Sequence, residues 1–548
     1  MQNYILLILI LVGVGIISLS LYQRQKKNTF EEIEYTILNN HTIELNSDDY
    51  IITRISWTKN EGNYITGIFD VANDPTFSDG VTIAIIKDQE GSENYVDVSV
   101  QKFYKYLRFN SPFVPFLSPL KDIFPMKLYG KHLSDIDVNL KNDFQATNLP
   151  LISIYTEESI EPESKEEKIN CNVSITKEGK MELREYGTIR VRGKSTSNPP
   201  KKPYLIKFDK KQELLGLKGK YKKWALLANI FDLSFIRNAL AFKISQLMGF
   251  EYTPRCLPVD LILNGVYRGN YYLCDDVEIG EDRINIDEMK KKDIEEPNIS
   301  GGYFFEIDGG GADYGYENLV TPKGIKWRIK EPEEEDITEE QKNYIIQKMN
   351  QFEAEAYNGN FTNMDLESFS KFFLIDEFCG DPDEIWSNYY ITKRRNDDKF
   401  YFGPVWDYDL SFDSDKRLYP INDKNTFLFY YGESAGTMRN FTEMLIKNKI
   451  IINYIKDTWE KLKTTTLNAD VLIDFIEKEK DYIKESAKLD SIIWNTFAPI
   501  RNVFFRHSGK ELITNEDRET DLKELKEYVK KRFDTLTTVI NQAVSEAK

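Results

Sequence analysis

The chain has 548 residues, of which 41% are apolar, 13% aromatic and 29% charged, and this composition excludes a disordered or fibrous protein. Its formal net charge of −17 excludes a broad nucleic-acid-binding face, because phosphate backbones require clustered Lys and Arg. The length predicts about two to four domains rather than one small binding module.

Histidine and cysteine are scarce. The three His and four Cys residues are widely spaced, and no CxxC pair occurs. Zinc sites and serine-hydrolase triads need such residues close to a partner, so both become poor interpretations. We therefore expect chemistry that depends on carboxylates and a metal ion.

The N-terminus is strongly apolar. Tyr4–Leu21 is long enough to span a bilayer as a helix, and Arg24, Lys26 and Lys27 follow it. The segment has no basic n-region and no small-x-small cleavage site, so residues 1–22 are predicted to form a transmembrane signal anchor rather than a cleaved signal peptide. The basic flank favours a cytoplasmic position for the rest of the chain.

Short apolar segments alternate with turn residues between residues 34 and 148. Asn73-Asp74-Pro75 and Ser78-Asp79-Gly80 supply turns. Regular short strands of this kind predict an all-β sandwich. The predicted strands are Ile43–Leu45, Tyr50–Trp57, Tyr64–Val71, Val81–Ile86 and Tyr95–Val100.

Four segments of this module carry a resemblance to a known type of domain: Gly67–Asp70, Asn73–Phe77, Lys105–Phe109 and Met126–Gly130. In them the module resembles the discoidin-like, galactose-binding-type sandwiches found beside extracellular enzymes. The resemblance implies a glycan as a partner of the module. The alternative is a module that only packs against its neighbour.

Residues 150–548 differ from the module before them. Strand patterns dominate to about Asp308 and helical periodicity dominates afterwards. We therefore predict an α+β fold class: an atypical, protein-kinase-like two-lobe domain over 150–548, preceded by the β-sandwich and the N-terminal transmembrane helix. The main predicted helices are Phe235–Met248, Thr338–Ala356, Leu366–Phe378 and Asp521–Ala547.

The first candidate site is a polar, glycine-containing turn between two predicted strands. Arg192 and Ser195 lie in the turn, and Lys202 and Lys207 follow it. Backbone N–H groups and cations in such a turn can approach phosphate oxygens, which makes these four residues nucleotide-binding candidates. A basic hairpin that faces solvent is the alternative.

The second candidate site combines an acidic loop with a strand end. Asp383 and Asn388 are five residues apart, the interval between the catalytic Asp and the metal-binding Asn in protein kinases. Asp407 follows Asn388 by 19 residues, so a hairpin can return it to the loop, and Asp409 lies beside it. Oxygen ligands of this kind suit Mg²⁺.

These segments, together with four others, resemble the CotH (spore coat protein H) kinase family in the order that the family uses. The resemblance runs from about residue 150 to the C-terminus. It implies a kinase that transfers the γ-phosphoryl group of ATP, with Mg²⁺ or Mn²⁺, to Ser or Thr hydroxyls of a partner protein or of itself. The four further segments are Lys223–Asn229, Ile236–Ala241, Leu263–Tyr271 and Gly302–Asp308.

The resemblance also implies roles for individual residues. Asp383 is then the catalytic base. Asn388 and Asp407 are metal ligands, with Asp409 supporting the metal. Lys202 or Lys207 is the lysine that contacts phosphate.

The sequence departs from the family in two places. Cys274-Asp275-Asp276 stands where the family more often has a Thr-Glu pair, and the predicted helix Phe235–Met248 contains no Glu. The acidic partner of the phosphate-contacting lysine therefore stays unnamed. Arg237 is either a nucleotide contact or a structural residue.

Three functions follow from these patterns. The first is an active kinase with a basic or Ser-rich protein acceptor. The second is a catalytically idle surface scaffold or adhesion protein whose β module binds a glycan, and the third is a carboxylate-based glycosidase. The β module and the family's spore-surface members favour a membrane-anchored protein that faces the extracytoplasmic side or the spore surface, against the cytoplasmic position that the basic flank favours.

Overall fold

The fold is known from a computed structural model of the chain. It describes residues 31–58, 67–86, 93–98, 103–110, 126–132, 144–307, 319–383, 387–431, 436–494 and 514–547.

The predicted fold class is wrong in its transmembrane helix. No helix among the described residues is both long enough and apolar enough to cross a membrane. The same finding contradicts the predicted membrane-anchored location. Residues 1–22, to which the helix was assigned, lie outside the described residues.

Two antiparallel sheets form the N-terminal β-rich region. One sheet has the strand order β1-β9-β4-β7 and the other β2-β3-β8-β5-β6. The strands are β1 Glu31–Ile33, β2 Tyr35–Ile37, β3 Thr42–Leu45, β4 Tyr50–Thr58, β5 Gly67–Ala72, β6 Val81–Ile86, β7 Glu93–Asp97, β8 Tyr106–Asn110 and β9 Met126–His132.

The two sheets share one hydrophobic core. Ile55 and Leu128 from the first sheet and Phe69 and Leu107 from the second are all buried in it. Alternating apolar residues on paired strands point to one face and produce this arrangement. The likeness to discoidin-type modules and the glycan partner stay predictions.

Seven further strands close into a barrel in the order β10-β11-β12-β13-β14-β16-β15. A parallel pair, β10 with β15, closes it. The sequence did not predict a closed barrel. The strands are β10 Leu151–Thr156, β11 Ile169–Lys177, β12 Lys180–Val191, β13 Tyr204–Leu214, β14 Leu217–Leu227, β15 Cys256–Leu263 and β16 Val266–Asp275.

A five-stranded sheet of order β18-β19-β17-β20-β21 follows in the chain. Its central strand β17 pairs antiparallel with both β19 and β20. The strands are β17 Tyr303–Ile307, β18 Leu319–Val320, β19 Lys326–Glu331, β20 Tyr389–Lys393 and β21 Phe400–Phe402.

Helices dominate the remainder of the described chain. In chain order the helices are α1 Arg237–Met248, α2 Glu339–Tyr357, α3 Leu366–Cys379, α4 Gly436–Lys447, α5 Lys449–Thr465, α6 Ala469–Tyr482, α7 Lys484–Trp494 and α8 Asn515–Glu546.

Local sequence explains where the helix that leads to the site begins and ends. Asp365 caps α3 by accepting a hydrogen bond from the backbone N–H of Ser368. Gly380, with φ of +68°, ends it in the left-handed conformation that glycine adopts most easily. All residues from Phe372 to Cys379 are buried, so α3 is a core helix that delivers the chain to the acidic loop.

Contacts divide the described chain into two compact units. One contains the described residues up to Ile189 together with Val259–Gly269, and the other contains Arg190–Pro258 and the described residues from Asn270 onward. The second unit holds every residue predicted for catalysis, metal binding and nucleotide binding. The predicted boundaries at 34–148 and 150–548 stay predictions.

Candidate functional site

A hairpin brings two predicted metal ligands together. Asn388 lies immediately before β20, which pairs with β21, and the chain then returns to Asp407. Nδ2 of Asn388 lies 3.4 Å from Oδ2 of Asp407. Both residues have positive φ, +61° and +71°, in the left-handed region that Asn and Asp adopt more readily than other non-glycine residues.

The segment after Asp407 is fixed from two sides. Oδ1 of Asn238, on α1, accepts a 2.7 Å hydrogen bond from the backbone N–H of Tyr408. The hydroxyl of Tyr408 donates to the carboxylate of Asp376 on α3. The backbone N–H of Phe412 donates to the Cys379 carbonyl at 2.6 Å. Core helices therefore hold the backbone that carries Asp407 and Asp409.

A buried ion-pair network supports the same segment. Arg237 is 1% exposed, donates from Nε to the carbonyl of Ser411, and pairs with Asp232 at 2.6 Å and with Asp521 at 2.7 Å. Of the two roles predicted for Arg237, the structure supports the structural one. It joins α1 and α8 to the loop after β21 that carries Asp407 and Asp409, which the sequence had placed at a strand end.

Asp383, the predicted catalytic base, lies in the loop after α3. Its backbone N–H donates to Oδ1 of Asp381 at 3.0 Å, and its own Oδ1 accepts from Nη1 of Arg417 at 2.6 Å. The rest of the Arg417 guanidinium forms two 3.0 Å hydrogen bonds with the buried carboxylate of Asp415. A bidentate pair of this kind fixes the orientation of the third contact.

Four carboxylates influence one another in this region. Burial raises the pKa of Asp409 well above its ordinary value, and the charges of Asp407 and Asp383 raise it further. Burial also raises the pKa of Asp381, and Asp383 again adds to the shift. Mutual repulsion of this kind is relieved when a cation enters.

Asp407 lies at the open side of the cluster. Its side chain is exposed, yet the protein that surrounds it on its other sides disfavours the charged form and raises its pKa. Arg192 opposes that rise, Asp383 adds to it, and Lys194 opposes it. A carboxylate that solvent can reach, with cations on one side and other acids on the other, is suited to bind a metal ion that also carries a phosphate.

The donor set fits Mg²⁺ or Mn²⁺ without forming a closed cage. No group of three or more His, Cys, Asp or Glu side chains in the described ranges is arranged to hold a metal ion. Mg²⁺ in phosphoryl-transfer sites uses one or two carboxylates and takes water and substrate phosphates as its other ligands. The amide of Asn388 and the carboxylate of Asp407, in contact with each other, meet that requirement.

A lysine that the sequence did not single out pairs with a buried acid. Nζ of Lys194 lies 3.8 Å from Oε1 of Glu306, whose side chain is 3% exposed in the middle of the five-stranded sheet. Burial alone would raise the pKa of Glu306, but Lys330, Lys194 and Arg328 outweigh it and hold that pKa below its usual value. Glu306 therefore stays ionised and can orient Lys194.

The turn that carries Lys194 requires glycine at one position. Gly193 has φ of +87°, and a Cβ there would lie 2.1 Å from Oγ1 of Thr196. Only glycine fits both the conformation and the space. Beside it, the guanidinium of Arg192 lies 5.0 Å above the ring of Trp406, next to Asp407 in the chain.

The other predicted nucleotide-binding residues have different surroundings. Lys202 donates from Nζ to the carbonyl of Ser197 at 3.0 Å, within its own loop. Lys207 is exposed on β13 and forms no ion pair among the described residues. Ser195 is exposed at the start of a short 3₁₀ turn. The roles predicted for these three residues stay predictions.

Lys201, between these candidates, is a structural residue. Its side chain is buried, with Nζ 2.5 Å from Oδ2 of Asp490 and 2.7 Å from the carbonyl of Asn270. The pair ties the end of the glycine turn to α7. Similarly, Asp275, in the segment where the sequence departs from the family, accepts a two-bond contact from Arg255.

Sequence reasoning missed Lys194, Glu306, Asp381 and Arg417. A weak signal existed for Glu306, since a lone carboxylate inside the apolar strand Tyr303–Ile307 must be paired when buried. No local spacing indicated Arg417, because its partner Asp383 is 34 residues away.

The sequence is similar to that of a known protein family. No curated protein matches the sequence. A family model described as CotH kinase protein matches residues 189–536, which is more than half of the chain and includes every residue of the site described above. The chain belongs to the CotH kinase family.

Proposed function

We propose that this protein is an active, ATP-dependent phosphotransferase that phosphorylates Ser or Thr hydroxyls of a partner protein or of itself. The observation that carries the proposal is the contact between Asn388 and Asp407, with Asp383 close enough to raise the pKa of Asp407. An idle kinase-like scaffold has no reason to keep these side chains together at the cost of carboxylate repulsion.

Asn388 and Asp407 are the residues that hold Mg²⁺ or Mn²⁺ in this proposal. The metal ion neutralises charge on the phosphates of ATP when it is bound. Asp409 supports the metal site from behind Asp407: it is 7% exposed, and the charges of Asp407 and Asp383 help to raise its pKa, so a bound cation favours its ionised form. The hydrogen bonds of Tyr408 with Asn238 and Asp376 keep the loop that carries Asp407 and Asp409 in place.

Lys194 and Arg192 are the residues proposed to contact the nucleotide phosphates. Lys194 is oriented by Glu306, and it is a compact charge of the kind that phosphate oxygens attract. Arg192 is held over Trp406. Both already influence the electrostatics of Asp407, which indicates that the cations and the acids belong to one site.

Asp383 is the proposed base for the acceptor hydroxyl. Arg417 occupies Oδ1, and no residue that the structure describes donates to Oδ2. In the transfer, the acceptor oxygen forms a bond to the γ-phosphorus, the bond from that phosphorus to the β–γ bridging oxygen breaks, and Oδ2 takes the hydroxyl proton. Positioning and charge neutralisation supply most of the rate in such reactions.

The acceptor is proposed to be a basic or Ser-rich protein segment. The acidic balance of the chain, with a formal net charge of −17, supports a basic partner over an acidic one. The same balance supports the expectation that nucleic acid is not a partner.

The experiment is transfer of label from γ-labelled ATP by the purified full chain, with Mg²⁺ or Mn²⁺, to itself and to a basic Ser-rich peptide. Asp383→Asn and Asp407→Asn are compared with wild type. Asp209→Asn is the matched control, because Asp209 is an exposed carboxylate on β13. Loss of a general base costs roughly 10²–10⁴-fold in rate.

The expected result is label incorporation by wild type and by Asp209→Asn, and loss of it in both site variants while their folding is retained. If ATP shifts the thermal unfolding midpoint of wild type but no label is transferred to any acceptor, the idle scaffold replaces the kinase. If no label is transferred from ATP and ATP does not shift the thermal unfolding midpoint, the proposed nucleotide site is wrong.

A further inference from the structure

Two cysteines that the phosphotransferase site does not use lie side by side in the barrel. The chain has four cysteines, and none of them forms a disulfide in the structure. Cys256 begins β15 and Cys274 is the penultimate residue of β16, and these two strands are hydrogen-bonded neighbours. The two cysteines therefore lie at adjacent ends of neighbouring strands.

The strand register places the two side chains opposite each other. The backbone N–H of Asp275 donates to the carbonyl of Arg255 at 2.9 Å, and each of these residues is the chain neighbour of one cysteine. Sγ of Cys274 donates to the carbonyl of Tyr272 at 3.8 Å, and the Cys256 thiol is near enough to raise the pKa of Cys274. Residues opposite each other in antiparallel strands have Cα atoms about 4.5–5.5 Å apart, which lies within the roughly 4.4–6.8 Å that disulfides span.

We propose that Cys256 and Cys274 form a redox-active dithiol that a small-molecule disulfide converts to an intramolecular disulfide. The other two cysteines lack this geometry. Cys171 lies on β11, whose barrel neighbours β10 and β12 contain no cysteine, and Cys379 ends α3; both are buried.

Disulfide formation takes two thiol–disulfide exchange steps, and the solvent exposure of the two cysteines sets their order. Cys256 is partly exposed, whereas Cys274 is completely buried. The Cys256 thiolate attacks the small disulfide first, forms a mixed disulfide and releases one thiolate. The Cys274 thiolate then attacks Sγ of Cys256 and releases the second. Two protein thiols and one small disulfide thus become one protein disulfide and two small thiols.

The second step is the slow one. Burial raises the pKa of Cys274 well above its ordinary value, the neighbouring Cys256 thiol raises it further, and the nearby charge of Arg192 only partly opposes the rise. Since the thiolate is the nucleophile, closure of the disulfide accelerates as the pH rises.

The test treats the native full chain with oxidised glutathione, quenches it in acid, alkylates the remaining thiols in denaturant and maps the digested peptides by mass spectrometry. We expect one crosslinked peptide that joins Cys256 to Cys274 and disappears on reduction. Cys171 and Cys379 are expected to remain reduced, so that the peptides containing them are recovered alkylated and serve as internal controls.

A variant separates the two steps. Cys274→Ala removes the resolving thiol, so the glutathione adduct is expected to accumulate on Cys256. If Cys274→Ala does not fold, the wild-type map alone decides. The proposal is overturned if both thiols of native wild type remain alkylatable after treatment that oxidises the denatured chain, or if the crosslink involves Cys171 or Cys379.

Discussion

Nη1 of Arg417 lies 2.6 Å from Oδ1 of Asp383, and the same guanidinium forms a two-bond contact with the buried carboxylate of Asp415. Asp415 is 2% exposed and fixes the arginine, which in turn fixes one oxygen of the proposed base. In the proposed mechanism, Arg417 therefore acts as a positioning residue. It touches the base and not the reacting atoms.

Arg417→Gln is expected to lower kcat while leaving the KM for ATP nearly unchanged. Without the fixed guanidinium, Asp383 samples orientations from which Oδ2 cannot reach the acceptor hydroxyl, and misplacement by about 1 Å costs on the order of 10²-fold in rate. Steady-state kinetics with varied ATP measure the two constants separately. Arg54→Gln is the control, because Arg54 pairs with the exposed Asp97 on β7. An equal loss in both variants would argue against positioning by Arg417.

Lys194→Met is expected to raise the KM for ATP by about tenfold or more, whereas Lys207→Met changes it little. The pairing of Lys194 with the buried Glu306 holds its charge beside the acids of the site, while the side chain of Lys207 is exposed on β13. A phosphate contact contributes about 1.5–3 kcal/mol, which corresponds to at least tenfold in affinity. Nucleotide titrations of the two variants check this directly, and the opposite ranking would restore the lysine implied by the resemblance.

The difference between these two lysines shows what the sequence could and could not predict. Asn388 and Asp407 were predicted to meet because a short hairpin of neighbouring strands joins them, and the structure brings them to 3.4 Å. Lys194 and Glu306 are more than a hundred residues apart, and only the packing of the central strand β17 brings them together. No local spacing encodes such a pair.

The fold likewise has elements that local sequence predicts and elements that depend on pairing between distant segments. Helical periodicity of the apolar residues predicted α1, α2 and α3 within a few residues of their observed ends. Closure of the barrel depends on the parallel pairing of Leu151–Ile154 with Asp260–Leu263, about a hundred residues later in the chain, which alternation of apolar residues cannot reveal. The expected transmembrane helix was inferred from an apolar stretch and its flanking residues, and no described helix is long and apolar enough to cross a membrane.

Asp376 is expected to make the protein less stable as the pH rises. Burial raises the pKa of Asp376 to about 8, its hydrogen bond from Tyr408 opposes the rise and the neighbouring charge of Glu377 adds to it. The folded state therefore holds a proton that the unfolded state releases above about pH 4. The resulting stability is present at acid pH and is lost as the pH approaches 8, with a slope of at most about 1.4 kcal/mol per pH unit.

Asp376→Asn should flatten that dependence. The amide cannot ionise and keeps an oxygen that accepts from the Tyr408 hydroxyl. Urea unfolding at a series of pH values between 5 and 9 measures the slope, with Asp209→Asn as an exposed-carboxylate control. Identical slopes in wild type and Asp376→Asn would show that Asp376 carries no proton in the folded protein near neutral pH.

The network around Arg237 is expected to be the most sensitive part of the kinase domain to the loss of one charge. Arg237→Leu leaves Asp232 and Asp521 buried at 1% exposure or less without their cation, and breaking a buried ion pair in this way costs about 3–5 kcal/mol. Arg54→Ala, which breaks the exposed pair with Asp97, is expected to cost no more than about 1 kcal/mol. Urea unfolding of the two variants gives the comparison.

Because Arg237 also donates to the carbonyl of Ser411, close to Asp409, the folded fraction of Arg237→Leu should transfer phosphate more slowly than wild type. If the variant unfolds as easily as expected but keeps full activity per folded molecule, the network stabilises the fold without setting the geometry of the loop that carries Asp407 and Asp409.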